Sequence, residues 1–344
     1  MISIAMFNNK GGVGKTTLTC NLAAYFSNEF RKRVLVVDCD PQCNATQLIM
    51  GEEFATEFYW NNQFAPPVTS IRDILQPIED GDSQISFDIR PIISSKNRFN
   101  VDLIPGHPGF SIVEDRLGAA WHELLGGDIG GIRKNNWNTD FCKKLEDKYD
   151  IIFFDLGPSL GSINRSVLVG CNYFITPMGT DIFSILGVKN IADWITRWAE
   201  LYENSISLSE QRNPGRLANY NINQTPKITN GYIGYTMQQY ITKAKQGIRR
   251  PTSAYEKIIT SVPNVINESL GSFFANGIDI NNAKLGDVPH LYSLIPLAQS
   301  VASPILNLKN ADGLVGAQFK QRENYNELIS SISNRILSNL GGAI

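Results

Sequence analysis

A run of glycines, lysines and threonines near the start of the chain has the residue types and spacing of a phosphate-binding loop. Residues 10–17 read KGGVGKTT and lie between the apolar run ISIAMF and the helix-like segment LTCNLAAYF. Glycines let backbone N–H groups turn inward around a phosphate, and the N-terminus of the following helix adds partial positive charge. Lys15 is placed to neutralise the β- and γ-phosphates of a nucleotide, and the Thr16 hydroxyl is a suitable Mg²⁺ ligand.

This loop departs from the general pattern at one end, where Asn9 stands in place of a glycine and Lys10 adds a second cation. The strand–loop–helix context nevertheless predicts phosphate binding rather than a glycine turn of purely structural use. Thr17 is positioned to hydrogen-bond a further phosphate. We therefore predict nucleotide contacts from Lys10, Gly11, Gly12, Val13, Gly14, Lys15, Thr16 and Thr17.

Carboxylates follow two later apolar runs. Asp38 and Asp40 end the stretch RVLVVDCD, and Asp155 ends DIIFFD. In an open α/β sheet, ligands bind at the carboxyl ends of the strands, and a carboxylate there can hold the shell of a magnesium ion. A ribose-binding acid of a dinucleotide fold would require a G-x-G-x-x-G loop, which this chain lacks. A helix-capping aspartate is the structural alternative for Asp155.

The elements that must position these residues alternate between strands and helices. Continuous apolar runs, typical of strands buried on both faces, predict strands at residues 2–7, 33–38, 100–106, 150–155, 172–177, 230–237 and 290–296. We predict one doubly wound α/β domain over residues 1–344, with a mostly parallel sheet of seven or eight strands flanked by helices. Residues 51–98, which hold a Pro-Pro pair and clustered aromatics, are predicted to form a surface excursion with a short helix near IRDIL.

Composition places the chain among ordinary globular proteins. It has 344 residues, 42% of them hydrophobic and 19% charged, and a formal net charge of −2. That charge argues against a uniformly basic nucleic-acid binder, although a local basic patch remains compatible with it. The five cysteines show no zinc-binding spacing, so we expect free thiols in a reducing cytosol.

Nothing in the sequence predicts a membrane or an export route. The first residues lack a basic segment followed by an apolar one, and no run approaches the roughly 18 apolar residues that span a bilayer. The last helix-like segment places Tyr325, Leu328, Ile329, Ile332 and Ile336 on one face. Arg335 is the one basic residue on its polar side, so we expect this face to pack against the sheet rather than anchor in lipid. We predict a cytoplasmic protein, and association with the nucleoid is compatible with that prediction.

The motifs taken together resemble the ParA/MinD family of partition and positioning ATPases. KGGVGKTT is similar to the deviant Walker A motif of that family, and VVDCDPQCNAT and IIFFDLGPSLG are similar to its later motifs. Cys43 replaces a usual glycine, and Gly157 replaces a usual proline. The resemblance implies that Lys10 reaches across a homodimer to the partner's nucleotide, that Asp40 orients or activates the attacking water, and that Asp38 supports magnesium through water. A lysine that is solvated, or that binds only its own nucleotide, is the alternative for Lys10.

The resemblance also implies an adenine pocket and a DNA contact. Thr236, Met237, Pro296 and Leu297 would line the adenine pocket, although apolar strand ends suit core packing equally well. Partition ATPases of this kind bind DNA without sequence preference as ATP-bound dimers. A basic cluster is expected to make that contact here, unless it is a solvated helix face; it consists of Lys243, Lys245, Arg249 and Arg250.

These observations predict an ATP-dependent, dimerising switch ATPase that uses ATP and Mg²⁺ and hydrolyses ATP slowly. By the resemblance it would act in plasmid or chromosome partition or in cargo positioning, and a ParB-type partner would stimulate it. The alternative is an adaptor, or a metabolic or electron-transfer enzyme, on the same scaffold without DNA binding. An iron–sulfur reductase would need paired cysteines at a dimer axis.

Overall fold

Short apolar strands form the centre of the molecule. The computed structural model describes residues 1–61, 67–238, 242–245, 248–251 and 253–342. The strands of the sheet are β1 (Ile2–Met6), β2 (Val34–Asp38), β3 (Asp102–Ile104), β4 (Ile151–Asp155), β5 (Tyr173–Gly179), β6 (Tyr232–Gln238) and β9 (Lys284–Val288). All neighbouring pairs are parallel, and in the described part of the chain they make a seven-stranded sheet in the order β3-β2-β4-β1-β5-β6-β9. Two further strands, β7 (Thr242–Lys245) and β8 (Ile248–Pro251), form a separate antiparallel pair.

Helices pack on both faces of this sheet. They are α1 (Lys15–Asn28), α2 (Asn44–Met50), α3 (Glu52–Ala55), α4 (Ile71–Asp80), α5 (Ser111–Leu125), α6 (Ile129–Asn135), α7 (Trp137–Leu145), α8 (Ser162–Gly170), α9 (Ile182–Arg212), α10 (Ser253–Leu270), α11 (Ile280–Ala283), α12 (Leu294–Ser300) and α13 (Gln318–Asn339). Every residue of β1, β2 and β4 is buried, as continuous apolar runs predict.

The sheet separates two hydrophobic cores. Alternate side chains of a strand point to opposite faces, so Ala5 and Phe7 enter one core while Ile4 and Met6 enter the other. The first core includes residues of helices α4 to α11, and the second includes residues of α1, α2, α3, α12 and α13. The predicted fold class, a doubly wound parallel sheet flanked by helices, is therefore confirmed. Because strands from residue 2 to residue 288 share one sheet, we retain the prediction of a single domain.

The segment 51–98 contains the helix expected near IRDIL. Helix α4 begins with a capping box in which Ser70 and Asp73 satisfy each other's backbone N–H groups. Ile71, Ile74 and Leu75 are fully buried in the first core. The expectation that the whole segment lies on the surface is therefore wrong for this helix, whose apolar residues recur at helical spacing and cover the sheet.

The prediction of the last strand, at residues 290–296, is also wrong. The structure has strand β9 at Lys284–Val288 and helix α12 at Leu294–Ser300. Only Leu285 and Val288 of this edge strand are buried, so it lacks a continuous apolar run. The apolar residues that follow are buried at positions 291, 294 and 298, which is the spacing of a helix face.

The C-terminal helix packs on the edge of the sheet, as predicted. Tyr325, Ile329, Ile332 and Ile336 of α13 are buried in the second core, and Leu328 packs against it. The helix approaches β9 closely at Gly286, where an added Cβ would lie 2.8 Å from the Ile332 side chain. None of the described helices is long and apolar enough to cross a bilayer.

Candidate nucleotide site

The loop between β1 and α1 uses a backbone conformation that favours glycine. Gly12 and Gly14 both have φ +73°, in the left-handed region. Gly14 immediately precedes α1, and no described side chain caps the first N–H groups of that helix. Uncapped N–H groups and the helix dipole together make a site for an anion such as a phosphate.

Lys15 lies beneath this loop as a buried cation. Its side chain is only 7% exposed, and Nζ donates a hydrogen bond to the Lys10 carbonyl oxygen at 3.0 Å. Burial lowers the pKa of Lys15, and the nearby charges of Asp155 and Asp40 oppose that shift. A bound polyphosphate would supply further negative charge beside a lysine that the fold already holds in place.

Asp155 lies at the end of β4, next to the first turn of α1. The Thr16 and Thr19 hydroxyls donate to its two carboxylate oxygens at 2.8 and 3.0 Å. Burial raises the pKa of Asp155 to about 6, although these two hydrogen bonds and the charge of Lys15 favour the ionised form. The strand register, which pairs Met6 and Asp38 with Asp155, brings the carboxylates to one edge of the sheet.

Asp38 is fully buried and hydrogen-bonded within the protein. One carboxylate oxygen accepts from the Thr46 amide at 2.8 Å and from the Thr46 hydroxyl at 2.7 Å, and the other accepts from the Asp40 amide at 3.2 Å. Burial, with the charge of Asp155, raises the pKa of Asp38 to about 7 despite these hydrogen bonds. Asp38 therefore lies behind the loop that carries Asp40, and its proposed role in supporting magnesium stays a prediction.

Asp40 reaches the cavity from the loop between β2 and α2. Its Oδ1 accepts from the Gln42 amide at 3.0 Å. An added Cβ at Gly157 would lie 3.3 Å from the Asp40 carboxyl carbon. A side chain at position 157 would therefore be in tight contact with the Asp40 carboxylate.

Lys15 and Asp40 line a cavity of about 310 Å³, whereas Asp38 and Asp155 are fully buried and are not part of its described lining. Its described lining contains residues expected from the loop and from the acidic motif, namely Gly11, Gly12, Gly14, Lys15, Thr16, Thr17 and Asp40. It also contains residues that the sequence motifs did not single out, namely Gln42, Asn44, Leu48, Pro158 and Gln299. The family-like motifs VVDCDPQCNAT and IIFFDLGPSLG contain Gln42, Asn44 and Pro158. These three residues could therefore have been predicted from their position beside Asp40 and Asp155. Gln299 comes from α12, and no local signal marks it.

The four residues expected around adenine lie outside the described lining of this cavity. Thr236 and Met237 are buried in β6, whereas Pro296 is exposed and Leu297 half-buried on α12. Gln238 lies at the end of β6 instead, where an added Cβ on Gly14 would be 3.1 Å from its side-chain oxygen. The adenine contacts of the four residues stay a prediction.

Lys10 forms an ion pair within its own chain. Its Nζ lies 2.5 Å from Asp181 Oδ2 and 3.4 Å from the Ser184 hydroxyl. Asp181 also caps helix α9, since its Oδ1 accepts from the Phe183 and Ser184 amides. Burial by itself would raise the pKa of Asp181, but the hydrogen bond and charge of Lys10 hold it below its usual value. The sequence motifs did not identify Asp181 as the partner of Lys10.

The basic cluster lies on the strand pair β7 and β8 rather than on a helix, which corrects the alternative of a solvated helix face. The backbone register places Lys243 opposite Arg250 and Ala244 opposite Arg249, and Lys245 ends β7. The side chains of Lys243, Lys245, Arg249 and Arg250 lie outside the described part of the structure.

The oxygen donors present suit a magnesium ion that a nucleotide brings with it. Thr16 and Asp155 offer hard oxygen ligands beside the phosphate loop, and Mg²⁺ is usually held by one or two carboxylates together with substrate phosphates. Among the residues that the structure describes, no cluster of three His, Cys, Asp or Glu side chains could by itself hold a metal. All five cysteines lie in the described part of the chain and are free thiols.

Comparison with known proteins decides the family. A family profile described as an AAA domain matches residues 1–208. A virulence plasmid ParA family protein from Chlamydia psittaci is 30% identical over 194 residues, covering 56% of this chain and 63% of that protein. The chain belongs to the ParA/MinD family. It spans less than two thirds of the length of that ParA relative.

Solved structures with the same fold extend the comparison to the whole chain. Protein DIP2308 from Corynebacterium diphtheriae is 33% identical, with a TM-score of 0.73 and 99% of both chains covered. The structure of pNOB8 ParA bound to nonspecific DNA has a TM-score of 0.55 at 17% identity, and covers 99% of this chain and 98% of that one. At that identity the likeness to pNOB8 ParA shows the ParA-like fold alone.

Proposed function

We propose that this ParA/MinD-family chain is an ATP-dependent, dimerising switch ATPase. The observation that carries this proposal is one cavity in which the uncapped N-terminus of α1, the buried Lys15 ammonium and the Asp40 carboxylate meet. Main-chain N–H groups of residues 11–17 would hold the phosphates, and Lys15 would neutralise their charge. Asn44 and Leu48 of α2 and Gln299 of α12 also line the cavity.

Magnesium would enter with the nucleotide. Thr16 and Asp155 would hold the ion, whose charge stabilises negative charge developing on the phosphates. The Thr16 hydroxyl already donates a hydrogen bond to Asp155 Oδ2 at 2.8 Å, so the two proposed ligand oxygens lie close together. Asp40, which lines the same cavity from a different loop, is proposed to orient or activate the attacking water.

We propose that the active form is an ATP-bound homodimer in which Lys10 contacts the partner's nucleotide. In a single chain Lys10 is engaged by Asp181, so dimerisation would exchange that ion pair for a phosphate contact. Three apolar residues beside this ion pair support the idea that this face is covered in the dimer. Ile182, Phe183 and Leu186 of α9 are 51%, 70% and 48% exposed.

Replacing Lys10 with alanine is expected to leave ATP binding by the monomer nearly unchanged and to weaken ATP-dependent dimerisation about tenfold or more. The reason is that the variant retains the α1 N-terminus and Lys15 but removes a charged contact across the interface. Light scattering with ATP and with ADP measures the dimer. Lys143→Ala is the matched control, because Lys143 also pairs with a carboxylate at 2.5 Å but lies on α7. Dimers that persist in Lys10→Ala would show that the lysine acts only within its own chain.

We propose non-specific DNA as the scaffold of the dimer, with a ParB-type protein as the stimulating partner in plasmid or chromosome partition. Two observations support DNA binding. The strand pair β7 and β8 carries basic residues, and pNOB8 ParA, which has the same fold, was solved bound to nonspecific DNA. Each protomer would contribute the same basic residues, so that a dimer presents two adjacent patches and gains affinity through avidity.

Binding to random DNA is expected to require ATP and to weaken steeply with salt. Alanine at Lys243, Lys245, Arg249 and Arg250 should reduce the slope of log affinity against log salt by roughly 0.9 for each phosphate that the protein no longer neutralises. Filter binding at two salt concentrations, with ATP, ADP and no nucleotide, measures this dependence. Lys143→Ala with Lys144→Ala, which removes basic residues of α7, serves as the control. An unchanged slope in the β7–β8 variant would exclude these residues as the DNA contact.

A further inference from the structure

A tyrosine from the segment 51–98 reaches the back of the proposed catalytic loop. Helix α3 continues into a π-helical turn at Thr56–Asn61, and this turn carries Tyr59. The Tyr59 hydroxyl donates to the Gly106 carbonyl oxygen at 2.8 Å, and the ring packs edge-on against His107. The hydroxyl also lies beside the Cys43 thiol, and burial together with that thiol raises the pKa of Tyr59.

Gly106 connects Tyr59 to Asp40 through a series of buried hydrogen bonds. The Gly106 amide donates to the Thr46 hydroxyl at 2.9 Å, and that hydroxyl donates to Asp38 at 2.7 Å. Asp38 in turn accepts from the Asp40 amide at 3.2 Å. Thr46 both accepts and donates, so the hydrogen bonds on either side of it polarise one another and strengthen together.

The loop at the end of this series is tightly packed. Cys43 has φ 55°, a left-handed conformation that is uncommon for a residue with a side chain, so the surrounding contacts must hold it in place. An added Cβ at Gly106 would lie 3.0 Å from both the Asp38 carboxyl carbon and the Cys43 sulfur. Close packing of this kind transmits a displacement of Gly106 to the loop that carries Asp40.

We propose that Tyr59 is a positioning residue that sets the Asp40 loop through Gly106, Thr46 and Asp38. This inference rests on the proposed ATPase function for its effect on turnover, but the hydrogen-bond series exists independently of nucleotide. It gives the turn at Thr56–Asn61 a role in the site, and it assigns to Asp38 the role of linking the Asp40 loop to Tyr59. Tyr59 itself does not line the cavity.

The first test follows backbone amides in the protein without nucleotide. Tyr59→Phe removes only the hydroxyl, and it is expected to speed hydrogen exchange at the Gly106, Thr46 and Asp40 amides about five- to tenfold. Tyr202→Phe is the matched control, because the Tyr202 hydroxyl also donates to a backbone carbonyl, that of Asn223, at 2.6 Å. Removing the Tyr202 hydroxyl should leave the exchange rates of those three amides unchanged. Unchanged exchange in Tyr59→Phe, or an equal change in Tyr202→Phe, would overturn the proposal.

A double-substitution cycle tests whether the effect passes through Thr46. Thr46→Val keeps the side-chain shape but removes the hydroxyl, and it should speed exchange at the Asp40 amide at least as much as Tyr59→Phe. In the Thr46→Val background, Tyr59→Phe should then have no additional effect on that amide. Additive effects would mean that Tyr59 and Thr46 act separately, contrary to the proposal.

Turnover supplies the functional readout. In Tyr59→Phe, kcat for ATP hydrolysis should fall about five- to tenfold while KM and the melting temperature stay close to those of the wild type. A raised KM with unchanged kcat would contradict a positioning role. A wild-type protein that does not hydrolyse ATP would instead count against the proposed function, and the exchange experiments would still decide whether Tyr59 holds the Asp40 loop.

Discussion

Replacing Lys15 with alanine is expected to weaken ATP binding by about 100-fold or more. Lys15 is the buried cation beneath the phosphate loop, and hydrogen bonds to charged groups contribute about 1.5–3 kcal/mol each. The substitution removes every such bond that the ammonium would make to the β- and γ-phosphates. Isothermal titration calorimetry with ATP and Mg²⁺ measures the loss directly.

The Lys15→Ala experiment needs a control for folding, because the substitution also removes a positive charge that favours the ionised form of Asp155. Without that charge the pKa of Asp155, which burial already raises to about 6, should rise further, so the carboxyl becomes protonated rather than left as a buried isolated charge. Circular dichroism should therefore show a folded protein at neutral pH. Lys143→Ala on α7 should bind ATP as the wild type does. Wild-type affinity in Lys15→Ala would defeat the proposed nucleotide site.

Replacing Asp40 with asparagine is expected to slow ATP hydrolysis about 100-fold or more while ATP binding changes little. A positioned acid or base contributes roughly 10²- to 10⁴-fold to a rate, and asparagine cannot accept the proton. Asparagine retains a side-chain oxygen that can accept from the Gln42 amide, so the loop should keep its conformation. Single-turnover phosphate release measures hydrolysis, and calorimetry measures binding.

The expected phenotype of Asp40→Asn is a protein that binds ATP and stays in the dimeric form. Asp150→Asn is the matched control, since Asp150 precedes β4 and lies at the opposite end of that strand from the site. It should hydrolyse ATP at the wild-type rate. If Asp40→Asn also hydrolyses ATP at that rate, then Asp40 is not the residue that activates water. If it loses ATP affinity instead, its role is in binding.

The phosphate loop was predictable because the chemistry is local. Gly12, Gly14 and Lys15 are close in sequence, and their geometry depends on a strand that ends and a helix that begins within a few residues. Asp155 was predictable for a related reason. A buried apolar run that ends in a carboxylate places that carboxylate at the carboxyl edge of a parallel sheet, where β4 pairs with both β1 and β2.

Other parts of the site could not be predicted, because they depend on contacts between distant segments. Asp181 meets Lys10 across 171 positions of sequence, and no local pattern marks an N-cap aspartate as the partner of a loop lysine. Gln299 reaches the cavity only because α12 follows β9, and the apolar pattern there was misassigned to a strand. Tyr59 lies in a segment where the sequence shows clustered aromatics without periodicity.

The sequence by itself determined the phosphate loop, the approximate positions of the six strands up to residue 238, and the face of the C-terminal helix that is buried. These features follow from backbone conformation and from apolar periodicity, which act over a few residues. Only the tertiary structure decided which side chain holds Lys10, where the edge strand lies, and how Tyr59 reaches the Asp40 loop. Those outcomes depend on which surfaces remain exposed once the sheet has formed and on which distant segments compete to cover them. No short stretch of the sequence predicts the result of that competition.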